Sequence, residues 1–329
     1  MTLAFTICSI NYLAQARTLG DSLRRTNPHI RFVIGLVDRL DKANLPADKY
    51  PDYELLELHQ IGINKLDEMC AHYNITELNT AVKPYFIRYF FEHISQVTNV
   101  VYFDPDIIVY QELNGLEQQL QQSDFVLTPH LITPLNDQKT PNELHHLNTG
   151  VYNLGFIALH KSPQTVAFVK WWEQKLFDEC KIDLCNGLFV DQHWADFIPV
   201  FWENTHVEKH FGYNAAYWNL HERTFSERAG THFVNEMPVV FFHYSGYDPQ
   251  KPLLISKYQD RFDFLQRPDL QPLFLFYHQE LTRNQNEYYR QFACYYIKKE
   301  PVYKYQRLRK WLRSPFVKLL EKLNGMPKS

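Results

Sequence analysis

Two aspartates, Asp104 and Asp106, follow the apolar run 99–103 directly, with Pro105 between them. Such a run predicts a buried strand, and carboxylates two residues apart at its end lie on one side of the chain. Pro105 restricts the turn between them. Carboxylate oxygens suit hard ions such as Mg²⁺ or Mn²⁺, which can bridge two phosphates and neutralise a departing diphosphate. The motif therefore predicts a divalent-metal site; a polar turn that caps the next strand is the alternative.

A histidine that could complete this site is His243, which ends the apolar run VVFFH. A neutral imidazole can fill a position that two carboxylates leave open in an octahedral shell. The alternative is a histidine that only forms a hydrogen bond at a strand end. Gly246 then permits close approach of the backbone to a phosphate, and Lys251 supplies a positive charge nearby.

Two basic residues, Lys83 and Arg88, lie in the mostly apolar segment TAVKPYFIRYFFEH. Charges on a helix of the buried type need a partner or a function. The planar guanidinium of Arg88 suits a diphosphate or the hydroxyls of a sugar. An ion pair, or a side chain that reaches the surface, is the alternative.

Strand and helix patterns alternate in the first half of the chain, which predicts an α/β fold with a mostly parallel sheet flanked by helices. Ligands of such sheets bind at the carboxyl ends of the strands, where Asp104 is expected. The polar segment 129–147 predicts a functional loop or lid. We predict strands at 3–10, 31–37, 54–58, 99–103, 107–109, 124–128, 155–159 and 239–242, and helices at 12–26, 76–93 (capped by Thr76 and kinked at Pro84), 113–122, 163–177, 190–197 and from 252 to the end.

The charge is unevenly distributed along the 329 residues. From Tyr295 onwards ten basic residues face two acidic ones, a net charge of +8, whereas the rest of the chain carries −11. Val302, Tyr305, Leu308, Trp311 and Leu312 lie roughly on one face of a helix in this tail. A basic amphipathic helix of this kind predicts contact with an anionic membrane surface. A helix packed on the domain, or RNA binding, are the alternatives, and no nucleic-acid motif accompanies the tail.

Five scattered cysteines predict a reducing compartment, and no apolar run is long enough to span a membrane. The N-terminus lacks the charged region of a signal peptide. We therefore expect a cytoplasmic protein, peripheral on the inner face of the cell membrane. The predicted domains are a catalytic domain at 1–255 and a helical C-terminal region with a basic amphipathic tail at 256–329.

Taken together, the motifs resemble a known family, the GT-A nucleotide-diphospho-sugar transferases, and within them glycosyltransferase family 8, which has bacterial lipopolysaccharide-type members. In that family an Arg one helix earlier precedes a YLDxD-type motif, and an Asn-x-Gly strand, an Asp-Gln pair and a His-x-x-Gly segment with a later Lys-Pro follow. The interval from His243 to Lys251 is longer than the family's usual one. The matching residues are Arg88, Asp104–Asp106, Asn153–Phe156, Asp191-Gln192, His243, Gly246 and Lys251-Pro252, in the same order over about residues 1–255.

The resemblance implies a role for each matched residue. Asp104, Asp106 and His243 would bind the metal, and Lys251 would contact the diphosphate. Gln192 would lie under the anomeric carbon, as in retaining members. Ser9, Asn11 and Tyr12 would lie at the nucleoside. Asn153 and Asp191 would contact hydroxyls of the donor or acceptor, and Gly155, two residues after Asn153, would lie beside them.

The resemblance implies an enzyme that moves a hexose, glucose or galactose, from a UDP-linked donor to a hydroxyl of a bacterial glycan or glycolipid, with Mn²⁺ or Mg²⁺ as cofactor. Retention of the anomeric configuration is expected from Gln192. A sugar nucleotidyltransferase or metal-dependent hydrolase would use the same carboxylates, but the former usually has a glycine-rich loop after its first strand, and 11–16 has no glycine. A non-catalytic protein that binds glycans or membranes is the third possibility.

Overall fold

The computed structural model describes residues 1–297, so most of the predicted basic tail lies outside the described residues. Residues Met1–Ile297 form one compact unit. The helices are α1 Leu13–Thr26, α2 Leu66–His72, α3 Ile75–Ala81, α4 Lys83–His93, α5 Asn114–Gln119, α6 Glu143–Thr149, α7 Pro163–Leu176, α8 Gln192–Ala195, α9 Ile198–Phe201, α10 Gln271–Arg283 and α11 Asn286–Tyr289.

The strands form one large sheet and three small ones. The strands are β1 Thr2–Cys8, β2 Arg31–Leu36, β3 Glu54–Glu57, β4 Asn99–Phe103, β5 Ile107–Val109, β6 Phe125–Pro129, β7 Tyr152–His160, β8 Ile182–Asp183, β9 Leu188–Phe189, β10 Thr205–Val207, β11 Ala215–Ala216, β12 Phe225–Arg228, β13 Thr231–Val234, β14 Met237–Pro238 and β15 Phe241–His243.

The seven-stranded central sheet has the order β10-β6-β7-β4-β1-β2-β3, in which only β7 runs antiparallel to its neighbours. Alternate residues of β1 enter different cores: Leu3 and Phe5 pack with α4 and α7, while Ala4 and Cys8 pack with α1. The predicted fold class, an α/β protein with a mostly parallel sheet flanked by helices, is confirmed. The carboxyl ends of β1 and β4 lie at one edge, and β7 starts there because it runs the other way.

Strand β5, which follows β4 in the chain, belongs to a second sheet with the order β11-β15-β5. This sheet packs in a third hydrophobic core. Strand β15 is antiparallel to β5, with His243 opposite Ile107. Helix α10 packs against this sheet through Phe274 and Tyr277, which contact Phe242 and Tyr244. The pairing fixes His243 beside the turn that joins β4 to β5.

Several predicted boundaries need correction. The single helix at 76–93 is two helices, α3 and α4, and its cap is Asn74 rather than Thr76. The Asn74 side chain accepts hydrogen bonds from the backbone amides of Thr76 and Glu77, and Glu77 accepts one from Asn74 in return. Val82 separates the two helices and precedes the Lys83-Pro84 start of α4, a position where proline is favoured.

The prediction of continuous helix from residue 252 onwards is wrong for the stretch before α10. There the chain is irregular except for a short 3-10 helix at Pro268–Leu270. Tertiary contacts take the place of helical hydrogen bonds: Arg261 pairs with Asp137, and the Thr140 amide donates to Asp260. The predicted loop at 129–147 also contains most of α6. Among the described residues no helix has the length and apolarity to cross a membrane.

Candidate active site

Three candidate metal ligands meet at the end of β4. Asp104 and Asp106 occupy the turn between β4 and β5, and β15 brings His243 beside them because the Tyr244 amide donates to the Asp106 carbonyl at 2.8 Å. His243 Nε2 lies 3.1 Å from Asp106 Oδ1 and 3.6 Å from Asp104 Oδ2. One ligand atom from each of the three residues lies within 4.8 Å of the others. Two carboxylates and an imidazole form a donor set that fits Mn²⁺ or Mg²⁺.

Burial and charge set the protonation of this cluster in opposite directions. Burial by itself lowers the pKa of His243, but the carboxylates of Asp106 and Asp104 outweigh it, so the pKa is raised. Removal from bulk water raises the pKa of Asp104, and the positive charge of Lys83 opposes that rise. Asp104 and His243 thus bind protons more readily than isolated side chains would, and a cation that binds here competes with those protons.

Gly155 leaves the space that the His243 ring occupies. A Cβ at this position would lie 2.4 Å from Cε1 and 2.8 Å from Nδ1 of His243. The Gly155 carbonyl also accepts a hydrogen bond of 2.7 Å from the Asp104 amide, which continues the β4–β7 pairing beyond Phe103. A glycine in a central strand is often a sign of such a close approach. Gly155 therefore leaves room for His243 and holds Asp104 through its backbone carbonyl.

The Asn153 and Gln192 side chains form a buried amide network beside the cluster. Asn153 Nδ2 donates to Gln192 Oε1 at 3.3 Å, and Gln192 Oε1 also accepts from the Leu154 amide at 3.2 Å. Gln192 Nε2 donates to the Thr149 carbonyl at 2.7 Å. Both predicted residues thus lie at the site, and protein hydrogen bonds fix the orientation of the Gln192 amide.

Asp191 forms a buried ion pair with Lys83. Lys83 Nζ also donates to the Leu154 carbonyl at 2.8 Å and lies 4.0 Å from the centre of the Tyr102 ring. Both side chains of the pair are almost entirely buried. Burial raises the pKa of Asp191, and the Lys83 ammonium opposes this. Lys83 therefore reaches the site, and Asp191 is held by a charge-assisted hydrogen bond.

Two neighbouring cavities receive the predicted residues. The smaller, of about 250 Å³, is lined by Ser9, Asn11, Tyr12, Asp106 and Gly246. Six other predicted residues line the larger cavity, of about 760 Å³, and Asp104 lines both cavities. The metal cluster therefore lies between a cavity beside the end of β1 and a larger cavity beside the start of β7. The six predicted residues that line the larger cavity are Lys83, Asn153, Gly155, Asp191, Gln192 and His243.

The structure does not bring Arg88 or Lys251 to these cavities. Arg88 Nε donates to Glu173 at 2.7 Å and pairs with Glu92 as well, on another side of α4. Residues 83 and 88 are five apart, about 140° around a helix, so they cannot share a face. Lys251 is exposed and lines neither cavity.

Sequence reasoning missed two residues that lie at the site. The Tyr102 hydroxyl donates to Asp104 Oδ1 at 2.6 Å, and Lys257 lines both cavities. Tyr102 could have been found, because it lies two residues before Asp104 on the same side of β4. Lys257 had no local signal, since it belongs to the irregular segment that was predicted to be helical.

No family model matches the chain. Two curated proteins of Bacillus subtilis (strain 168) are similar: the uncharacterized protein YfnF, 25% identical over 75% of this chain and 82% of its own length, and the uncharacterized protein YfnD, 20% identical over 74% and 76%.

Two solved glycosyltransferases also resemble the chain. One is a galactosyltransferase, LgtC, in complex with donor and acceptor sugar analogues, with a TM-score of 0.49, 16% identity and coverage of 86% of this chain and 96% of that one. The other is the glycosyltransferase GlyE of Streptococcus pneumoniae TIGR4, with a TM-score of 0.46, 16% identity and coverage of 91% and 65%.

Proposed function

We propose that this chain is a metal-dependent glycosyltransferase that moves a hexose from a nucleoside diphosphate to an acceptor hydroxyl. The observation that carries the proposal is the Asp104, Asp106 and His243 cluster, placed between two cavities that share Asp104. A nucleotide-sugar has the same arrangement, because its diphosphate lies between a nucleoside and a sugar. A divalent ion bound there would neutralise the charge that develops on the diphosphate.

Each part of the donor then has a group of side chains. The nucleoside, uridine by preference, would lie with Ser9, Asn11 and Tyr12 in the smaller cavity. The hexose, glucose or galactose, would lie beside Asn153 and Asp191 in the larger one, where carboxylate and amide groups bind hydroxyls. Sites that combine a few placed polar groups with an apolar wall are typical of small-molecule binding.

The larger cavity has room for the acceptor as well as the donor sugar. At about 30 Å³ for each water, 760 Å³ corresponds to roughly 25 water molecules, more than one hexose displaces. In the transfer, the bond from the anomeric carbon to the phosphate oxygen breaks with its electron pair on that oxygen. The acceptor oxygen forms the new bond, and its proton leaves with the nucleoside diphosphate.

Retention of the anomeric configuration forms part of the proposal and rests on Gln192. Its amide is fixed in orientation beside Asn153, and Asp191, the nearest carboxylate along the chain, is held by Lys83. Asp191 is therefore poorly placed to act as a nucleophile that forms a covalent intermediate. An NMR spectrum of the product with inverted configuration would contradict retention.

The acceptor and the place of action are proposed from the sequence. A bacterial surface glycan or glycolipid, reached at the inner face of the cell membrane, agrees with the basic tail after Tyr295. Co-sedimentation with anionic vesicles, lost on removal of residues 298–329, would support this proposal. Equal binding of the shortened chain would oppose it.

Thermal unfolding with nucleotide-sugars tests the proposed function. UDP-glucose, UDP-galactose, GDP-mannose and dTDP-glucose are each added to the full chain with Mn²⁺ or with EDTA. We expect at least one UDP-hexose to stabilise the protein only with Mn²⁺, by about 2.7 kcal/mol at a concentration 100 times its Kd. Asp104→Asn and Asp106→Asn should abolish this stabilisation.

The matched control is Asp52→Asn, because the Asp52 side chain is almost fully exposed and an exposed carboxylate contributes little to stability. It should respond to donors as the unmutated chain does. If no nucleotide-sugar stabilises the protein, or if EDTA makes no difference, the proposed function is wrong. Release of pyrophosphate from a nucleoside triphosphate and a sugar 1-phosphate would identify a nucleotidyltransferase instead.

A further inference from the structure

The boundary between the two cavities is formed by residues that line both of them. They come from four parts of the chain: helix α3, the turn after β4, residue 245 just after β15, and residues 257–258 further along. If the function proposed above is correct, the diphosphate of the donor crosses this boundary, because the nucleoside and the sugar lie on either side of it. The shared residues are Thr76, Thr80, Asp104, Ser245, Lys257 and Tyr258.

Lys257 is the one cationic side chain among these six. Within residues 1–297 its ammonium forms no ion pair with a carboxylate, whereas the other lysine near the cluster, Lys83, is buried against Asp191. The Lys257 ammonium lies 4.9 Å from the centre of the Tyr258 ring. A cation at the boundary without an acidic partner has its charge available for an anionic ligand.

The backbone around Lys257 packs against the turn that follows His243. The Lys257 amide donates to the Gly246 carbonyl at 3.1 Å, and the Tyr258 amide donates to Ser256 Oγ at 3.2 Å. Gly246 has a φ of +73°, and a Cβ there would lie 2.4 Å from Ser256 Oγ. Only glycine satisfies both requirements without displacement of the neighbouring segment. The turn therefore holds Lys257 next to the residues that follow the metal ligand.

Lys251 differs from Lys257 in each of these respects. It is exposed, it lines neither cavity, and its backbone amide closes a turn on the Asp248 carbonyl. The long interval between His243 and Lys251 agrees with this placement, because residues 248–251 form a turn that lines neither cavity.

We propose that Lys257, and not Lys251, binds the diphosphate of the nucleotide-sugar. Its ammonium is a compact charge on a flexible side chain, which suits a phosphate oxygen whose position shifts between the bound donor and the released nucleoside diphosphate. A metal held at Asp104 would contact the diphosphate from the turn after β4, and Lys257 would contact it from the segment after β15. The assignment rests on the proposed function and adds to it the residue that recognises the phosphate charge.

Calorimetric titration of the full chain with UDP, GDP and dTDP in the presence of Mn²⁺ tests the assignment. For the diphosphate that binds, we expect Lys257→Ala to raise the Kd roughly 10- to 100-fold, the effect of one hydrogen bond to a charged group. Lys251→Ala is the matched control, six residues earlier in the chain. Its Kd for the diphosphate should stay within about twofold of that of the unmutated chain, because no hydrogen bond to the ligand is lost. Lys257→Arg should recover part of the affinity, since it keeps the charge.

Two further readouts separate phosphate binding from a structural effect. Lys257→Ala should leave unchanged both the affinity for uridine, which lacks phosphate, and the affinity for Mn²⁺ alone. Full diphosphate affinity in Lys257→Ala, a loss in Lys251→Ala instead, or an equal loss for uridine would overturn the lysine assignment while the proposed function stands. If the unmutated chain binds none of the three diphosphates, the proposed function fails, and the assignment fails with it.

Discussion

The hydroxyl of Tyr102 is a polar neighbour of the metal cluster that is not itself a candidate ligand. It donates to Asp104 Oδ1, while Asp104 Oδ2 faces His243. The Tyr102 ring is buried between Phe5 and the Lys83 ammonium, so the hydroxyl has a fixed position. Hydrogen-bond partners of this kind orient a metal ligand: one carboxylate oxygen binds the protein, and the other stays available for the ion. Tyr102 is thus a positioning residue for Asp104.

Replacement of Tyr102 by Phe should weaken Mn²⁺ binding without unfolding the protein. Loss of a hydrogen bond to a ligand typically costs about 10- to 100-fold in metal affinity. Tyr85→Phe is the control, because it removes a hydroxyl that donates to the Glu173 carbonyl, away from the cluster. Electron paramagnetic resonance of free Mn²⁺ gives the Kd of each variant. Equal affinities in the two variants would show that Tyr102 does not position Asp104.

At the residue scale, sequence predicts best what depends on local geometry. Asp104 and Asp106 could be placed because their position follows from the end of one strand. Arg88 could not, because the rotation of α4 about its axis depends on packing against α7, where Glu173 pairs with it. Lys257 could not, because contacts distant in sequence decide the path of its segment.

At the scale of elements, the site depends on two antiparallel pairings. Strand β7 pairs with β4 and places Gly155 beside Asp104, and β15 pairs with β5 and places His243 above Gly155. Eight strands could be predicted from apolar runs, and they are confirmed within a few residues, whereas the short strands β8 to β14 were not predicted. Their order in the sheets could not, since residues far apart in the chain determine the pairing.

Gly155→Ala tests whether these pairings set the metal site. A Cβ there meets the buried His243 ring at 2.4 Å, so the imidazole has to move and the ligand cluster opens. We expect the Kd for Mn²⁺ to rise about tenfold or more, at a cost in stability of about 1–3 kcal/mol for an overpacked core.

The matched control for this change is Gly115→Ala in α5. A Cβ at Gly115 meets only the Tyr213 hydroxyl, at 3.8 Å, so the methyl group fits. This variant should keep its Mn²⁺ affinity and be as stable as the unmutated chain or slightly more so, because alanine favours helix over glycine. Unchanged Mn²⁺ affinity in Gly155→Ala would mean that the His243 position does not depend on this glycine.

At the scale of the whole molecule, the parts of the site come from most of the described chain. Ser9 follows the first strand, Lys83 begins the fourth helix, and Lys257 lies after the last strand. A mostly parallel sheet and one cluster of candidate ligands follow from the sequence pattern. The position of segments 140–149 and 257–260 at the larger cavity does not, because polar contacts such as that of Thr140 with Asp260 hold the two segments together.

Two buried histidines that line the larger cavity link folding to pH. The rings of His130 and His146 stack at 4.5 Å, and both side chains are more than nine-tenths buried. Burial lowers the pKa of His146 to about 4 and that of His130 well below its usual value. Both are therefore neutral in the folded protein near pH 7.

The free energy of unfolding should fall when the pH drops from about 6.5 towards 4. In this window an unfolded His146, with a pKa of about 6.5, binds a proton that the folded protein excludes, so acid favours unfolding; above it the contribution is constant. His146 alone accounts for at most about 1.4 kcal/mol per pH unit, or roughly 3 kcal/mol in total. Urea midpoints measured from pH 7.5 to 4.5 should show a slope that His146→Gln reduces by about this amount, whereas His93→Gln, a change at an exposed imidazole, leaves it intact. An unaltered slope in His146→Gln would mean that this ring is protonated equally in the folded and unfolded chain, and that its burial is not what makes the enclosure of the larger cavity sensitive to acid.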